Sequence, residues 1–492
     1  MTTLTFIIYI VLLFYIGFLA YQRIHSISDY ILGGRSLGHW ITAISAGASD
    51  MSGWLLLGVP GFVYVNGMQA VWLIGGLWLG SYMNWRLVAM RLRVYSELAA
   101  DSLTLPAFLN QRVADNKNHI RLVAASCTIF FFLLYTVSGL VASGKLFNSV
   151  FGVPYEWAII IGMLAIVLYT LFGGFLAVSW TDLFQGLLML FALMLIPLLA
   201  LGEFDSWQQA RTVIDTGAPY FFSLWHDKQG EPLGVIGIVS LMSWGLGYFG
   251  LPHVLARFKA IRDPRQLPQA RRIAMSWVGL SMLGAMAVGL MGFALLSPKM
   301  VLEDEERVFI ILINQLLSPV LAGICLAAIL AAIMSTADSQ LLVSASVLIE
   351  DIYRPFSRRT LSQAHLLWVA RIVVIIIAVI ATLLASDPDS SVLSLVGYAW
   401  AGFGAAFGPA VLFSLFWQQT NKPGILAGML SGAVTVVIWE QLEGGFFDVY
   451  EILPGFVFSC LMIILVTKIT GGASSSTKQQ FAVMQKQVTD FH

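Results

Sequence analysis

The sequence predicts an all-α polytopic membrane protein with thirteen transmembrane helices, and three observations carry that prediction. Of its 492 residues 58% are hydrophobic and only 11% charged, against about 25% charged in a typical soluble domain. The apolar residues gather in runs of about twenty, the length of helix that crosses a hydrocarbon core. Lys and Arg concentrate in alternate connections, as the positive-inside rule requires.

The runs lie near 5–21, 40–63, 69–90, 120–148, 156–175, 182–202, 233–252, 272–297, 318–348, 365–385, 391–417, 423–440 and 453–470. The first has no basic stretch before it and no cleavage site after it, so it reads as an uncleaved helix rather than a signal peptide. With the N-terminus outside, 22 of the 27 basic residues fall on the cytoplasmic face. Only Lys145, Arg211, Lys228, Lys299 and Arg307 remain outside, where the loops are acidic, most densely at 303–306. The expectation is an integral protein of the cytoplasmic (inner) membrane, N-terminus out and C-terminus in.

No linker divides the chain, which reads as one transporter domain over 1–470. An additional N-terminal helix (5–21) precedes two sets of five helices (40–202 and 233–417), and two C-terminal helices follow (423–470). The polar segment 471–492 reads as a mobile cytoplasmic tail. The longest connection, 203–232, is external, with room for a short surface helix. Five is odd, so the second set enters the membrane from the opposite side and an inverted repeat follows if both sets share a fold.

The first helix of each set is also the most interrupted, and paired interruptions are the best sequence pointer to a transporter's site. In the first, the stretch 45–53 holds three serines, two glycines and Asp50. An acid at mid-membrane costs roughly 2.5–3.5 kcal/mol on insertion scales, and opened backbone is tolerated there only inside protein or along a cavity. Asp50 can attract a cation, accept hydrogen bonds or hold the opened backbone. In the second, Gly245, Gly247 and Gly250 spell G-x-G-x-x-G, but a dinucleotide fingerprint needs a βαβ unit. Within a membrane-length run these glycines loosen a helix instead, and Trp244 and Tyr248, four apart, share a face toward a cavity.

The ninth run carries Ser335, Asp338 and Ser339 on one helix face, with Thr336 beside them. Hydroxyls, an acid and freed carbonyls near Ala48 and Met51 form an all-oxygen set of the kind hard cations prefer. Asp182 stands at the edge of the sixth run, as an N-terminal carboxylate facing the helix dipole or a functional group. The basic stretch 257–272 reads as a solvated, topology-setting loop. Cys127, Cys325 and Cys460 lie in apolar runs as buried small side chains, and the seven histidines form no local metal or triad motif. No P-loop is present to support ATP-driven pumping. A channel would need a continuous pore, and a membrane enzyme a nucleophile with a base, which no His near Asp50 supplies.

The blocks 29–36, 45–54, 173–182, 244–253, 331–343, 398–409 and 454–456 together make nearly the whole chain resemble the sodium/solute symporter family, and within it the proline carriers. That resemblance implies thirteen helices with a ten-helix inverted-repeat core of the leucine-transporter type. It implies sodium-coupled L-proline uptake by alternating access, with pantothenate or another amino acid as the alternative solute, and no cofactor, enzymatic activity or obligate protein partner. It assigns sodium to the carbonyls of Ala48, Met51 and Ala332 and the hydroxyls of Ser335 and Thr336, with Asp50 as the carboxylate for coupling. Ser52, Gly53, Tyr135, Trp244, Tyr248 and Pro252 match substrate positions, and Arg35 and Glu306 match charged residues of sodium handling and gating. Asp338 and Ser339 depart from the uncharged small pair of the proline carriers. With Asp182 they form a candidate second cation site, or Asp338 exchanges a proton.

Overall fold

Apolar runs become helices because backbone in hydrocarbon has to satisfy its own N–H and C=O groups. The computed structural model describes residues 2–22, 26–297, 302–357 and 361–491. Arg23, Lys299, Arg358 and Arg359, counted above among the loop charges, lie outside the described residues. In chain order the helices are α1 (Thr2–Tyr21), α2 (Ile27–Leu32), α3 (His39–Ala48), α4 (Val59–Asn66), α5 (Ala70–Met83), α6 (Ala89–Leu98) and α7 (Leu105–Arg112). Then come α8 (His119–Phe151), α9 (Tyr155–Gly202), α10 (Trp207–Gly217), α11 (Gly234–Ser243), α12 (Pro252–Ala260), α13 (Leu267–Leu296) and α14 (Val308–Leu316). The last are α15 (Pro319–Val347), α16 (Arg354–Phe356), α17 (Gln363–Leu384), α18 (Val392–Phe416), α19 (Lys422–Trp439), α20 (Ile452–Ile469) and α21 (Ser475–Asp490). Among the described residues, β pairing is limited to two isolated bridges.

Among the described residues, ten helices are long and apolar enough to cross a membrane, or eleven if one bent pair counts as a span. Part of the distance from thirteen is physical. Trp54–Leu98 is one helical run of 45 residues, although Gly67, with φ 68°, turns the chain inside it. The bent pair is Gly234–Phe249 with Pro252–Ala260, at 44°. Between α11 and α12 the residues Trp244–Phe249 form a 3-10 helix, longer than most, so Trp244 and Tyr248 do not share a face as they would on an α-helix. Both interrupted segments foreseen from the sequence are broken in the structure.

Three expectations need correction. The second half of α9 starts at Gly173, where Gly174 takes φ 54° and ψ −174°, a conformation open only to glycine. Asp182 therefore lies well inside a helix and fully buried, not at an N-terminal edge; the glycine pair, not the Thr-Asp step, supplies the turn. The stretch 257–272 is not a solvated loop: Arg257 and Lys259 belong to α12 and are each 1% exposed. Finally, the segment after Gly471 is not a loose tail. Helix α21 buries Thr477, Phe481, Met484 and Val488, spaced three and four apart as one helix face requires, and lies against α6 with the Gln480 amide donating to the Leu98 carbonyl at 2.8 Å.

Candidate functional site

The site begins where α3 ends. An unbroken helix would pair the Ser52 N–H with the carbonyl of Ala48. Here that N–H turns to the Asp50 carbonyl at 3.0 Å, leaving the Ala48 carbonyl free within the bundle. The Ser335 hydroxyl of α15 takes it up at 2.8 Å and also lies 3.1 Å from the Ala332 carbonyl. Both carbonyls predicted for one ion thus lie within hydrogen-bond reach of the Ser335 hydroxyl predicted with them. The Thr336 hydroxyl next to them is buried without a partner, and Met51 lies fully buried in the same break.

The break is held open through backbone. The Asp50 carbonyl accepts from the Trp54 indole N–H at 3.0 Å and from the Tyr135 hydroxyl of α8 at 3.1 Å. The Asp50 side chain does none of this work: both of its carboxyl oxygens are buried next to the Tyr248 hydroxyl. It stands as an acidic group beside the opened helix. Ser52 is buried in the break, while Gly53 serves packing, since a Cβ there would lie 2.8 Å from the Ala142 Cβ and 3.5 Å from Ile333.

The 3-10 segment forms the opposite wall. Tyr248 points inward, its ring edge-on to Trp400 at 5.1 Å, and Trp400 lies 6.2 Å from Trp54. Trp244 stacks on Tyr450 at 5.0 Å and also lies 6.3 Å from Trp400. The Trp400 indole N–H donates to the Trp244 carbonyl at 2.7 Å, which ties α18 to the broken segment. Pro252 is buried as the first residue of α12, where its missing N–H costs nothing.

The residues of the candidate second cation site do meet, but around a guanidinium. Arg257 donates to Asp182 at 3.1 Å, to the Ser339 hydroxyl at 2.6 Å and to the Ser45 hydroxyl at 3.1 Å. Asp338 has one oxygen 3.4 Å from the Ser339 hydroxyl and the other buried with no hydrogen-bond partner. The remaining predicted charges lie at opposite ends. Arg35 bonds Asp101 at 2.8 Å, the Ser96 hydroxyl and the Lys259 carbonyl. Glu306 pairs with Lys145 at 2.7 Å and accepts the N–H groups of Val392 and Leu393 at 3.0 Å, capping the start of α18.

Comparison with known proteins places this geometry. The family model for the sodium:solute symporter family matches residues 30–432. The chain belongs to the sodium:solute symporter family. Among this symporter's relatives is the sodium/proline symporter of Salmonella typhimurium, 46% identical over 97% of this chain and 95% of that one. The osmoregulated proline transporter of Bacillus subtilis is 45% identical over 97% of both chains. A solved sodium-coupled sialic acid symporter superposes with a TM-score of 0.80 over 96% of this chain and 98% of that one, at 17% identity. MhsT in complex with L-phenylalanine superposes at 0.55 over 88% and 98%, at 13% identity. These two likenesses describe the fold.

Sequence reasoning missed four residues of this symporter's site region. Trp400 in α18 and Tyr450 just before α20 lie far along the chain, and nothing in their local sequence points to Trp244. Ser45 was one serine of three in its stretch. Arg257 was hidden by its basic neighbours, although its spacing of five residues from Pro252 puts it inside the half-helix that a proline begins.

Proposed function

We propose that this protein imports L-proline with sodium by alternating access across the cytoplasmic membrane, N-terminus outside, using thirteen crossings built on a ten-helix inverted-repeat core. The observation that carries the reading is the oxygen cluster across the broken helix: the Ala48 and Ala332 carbonyls about the Ser335 hydroxyl, with Thr336 unpartnered beside them. It offers a hard monovalent cation only oxygen. The relatives named for proline share its length almost end to end.

Sodium bound to Ala48, Met51, Ala332, Ser335 and Thr336 would cross-link the end of α3 to α15 and hold the break in one geometry. The same break carries Ser52 and the N–H groups at the start of the resumed helix, where a half-helix N-terminus favours a carboxylate. The Asp50 carboxylate supplies charge attraction for the cation, while Tyr135, Tyr248 and Trp400 enclose the ring of the solute. Ion and solute thus share one wall, so each strengthens the other's binding by the same factor. Arg35 and Glu306 close the two ends. Inward sodium flow gains about 2.3 kcal/mol per charge per 100 mV of membrane potential.

Full-length protein in liposomes should accumulate labelled proline only when sodium is higher outside. Equal accumulation without a sodium gradient refutes sodium coupling. Stronger competition by another amino acid or by pantothenate than by unlabelled proline refutes the solute.

A further inference from the structure

A carboxylate, two hydroxyls and full burial make the space between Asp182, Ser339 and Ser45 suitable for a small hard cation. In this protein Arg257 already fills it. The residue is 1% exposed and rises from α12 into a junction of α3, α9 and α15. Its Nη2 meets both Asp182 Oδ2 and Ser339 Oγ, its Nε meets Ser45 Oγ, and its Nη1 returns to the His253 carbonyl at 3.0 Å. The guanidinium also lies over the Phe175 ring at 5.1 Å. The Ser45 hydroxyl donates its own proton to the same Asp182 oxygen at 2.6 Å.

We propose that Arg257 is a resident cation occupying a second ion position, so that the cycle carries one sodium ion per substrate and a guanidinium fixed to α12 takes the place of another. This rests on the sodium-coupled reading above.

The geometry supplies the coupling. Ser339, held by Arg257, donates to the Ser335 carbonyl at 2.8 Å, and Ser335 is the hydroxyl at the sodium set. Arg257 also belongs to the half-helix that resumes just after Tyr248. A tilt of α12 therefore moves the resident charge, the serine relay and the substrate wall together. An arginine keeps its charge at any working pH, so this position is never vacated by dissociation, only by movement of α12. Asp338 faces Ser339 rather than Arg257, which leaves a measurable alternative: a sodium ion beside Asp338 with Arg257 still in place.

The test is the charge moved per proline by full-length protein in liposomes, taken from the reversal potential of sodium-driven flux. One charge per proline is expected for the intact protein. Arg257→Ala should open the position, raising the charge to two and steepening the sodium dependence; Arg257→Ala with Asp182→Asn should return it to one. Removing one member of a buried ion pair strands the other, so radiolabelled sodium binding to purified protein provides a second readout: one ion for the intact chain, two for Arg257→Ala, one for the double variant. Two charges per proline in the intact protein, or a single bound sodium in folded Arg257→Ala, overturns the proposal. Absence of any sodium-driven uptake would instead strike the proposed function.

Discussion

The Ser335 hydroxyl and the Ala48 carbonyl, 287 positions apart in the chain, meet at 2.8 Å across the broken end of α3. The contact joins the broken end of α3 to α15 at oxygen atoms suited to an alkali ion. A hydroxyl aimed at a charged partner contributes about 1.5–3 kcal/mol. Ser335→Ala should therefore raise the sodium concentration for half-maximal uptake by about tenfold or more, with the rate at saturating sodium much less affected. Sodium titration of proline uptake checks this, and an unchanged half-maximal concentration removes Ser335 from the ion site.

Tyr135 acts on the break from outside it. Its hydroxyl is one of three donors to the Asp50 carbonyl, with the Trp54 indole and the Ser52 N–H, so Tyr135→Phe removes a single neutral hydrogen bond worth about 1 kcal/mol. The expected result is an increase of about fivefold in the proline concentration for half-maximal uptake, with folding retained.

Gly53 and Ala142 form a tight packing pair. Adding a Cβ at Gly53 places it 2.8 Å from the Ala142 Cβ, and overpacking of this kind costs about 1–3 kcal/mol. Gly53→Ala should slow transport and lower thermal stability, and Ala142→Gly in the same chain should recover part of both. A double-mutant cycle on melting temperature and uptake rate reads the coupling directly.

In the connection between α7 and α8, Asp115 offers a pH test. Burial opposes its charge, but the Lys422 ammonium at 2.6 Å and the N–H groups of Ile120 and Lys117 outweigh this and hold its carboxyl below the ordinary value. A carboxyl lowered on folding adds stability that is complete above its unfolded value, near pH 4, and is lost as pH falls through the lower folded value. Asp115→Asn should thus lower the melting temperature at neutral pH. The difference from the parent should shrink as the medium is acidified below about pH 4.

Phe481 is the one aromatic ring in the buried face of α21. It is 2% exposed and sits between the Tyr95 ring and the Arg112 guanidinium. Phe481→Ala should release the helix from α6 while leaving the bundle folded. Limited proteolysis would then cut within 475–490 faster than in the parent, and equal rates would show that the other contacts suffice.

The sequence by itself determined the class and the two breaks, and marked the hydroxyls of the candidate ion site. Mid-membrane polarity is costly enough that the stretch around Asp50 and the hydroxyls at Ser335 and Thr336 announce themselves without any structure. Local pattern also marked Gly245, Gly247 and Gly250 as a loosened helix. Tertiary structure alone decided which polar groups spend their valence on each other. Asp50 holds the break by its carbonyl, not its side chain; Trp244 stacks on Tyr450 and packs against Trp400, while Tyr248 meets Trp400 edge-on. Arg257, one basic residue among several in the sequence, becomes the partner of Asp182 because the bend between α11 and α12 carries it into the bundle. Burial and pairing depend on contacts between distant helices, and hydropathy carries no record of those contacts.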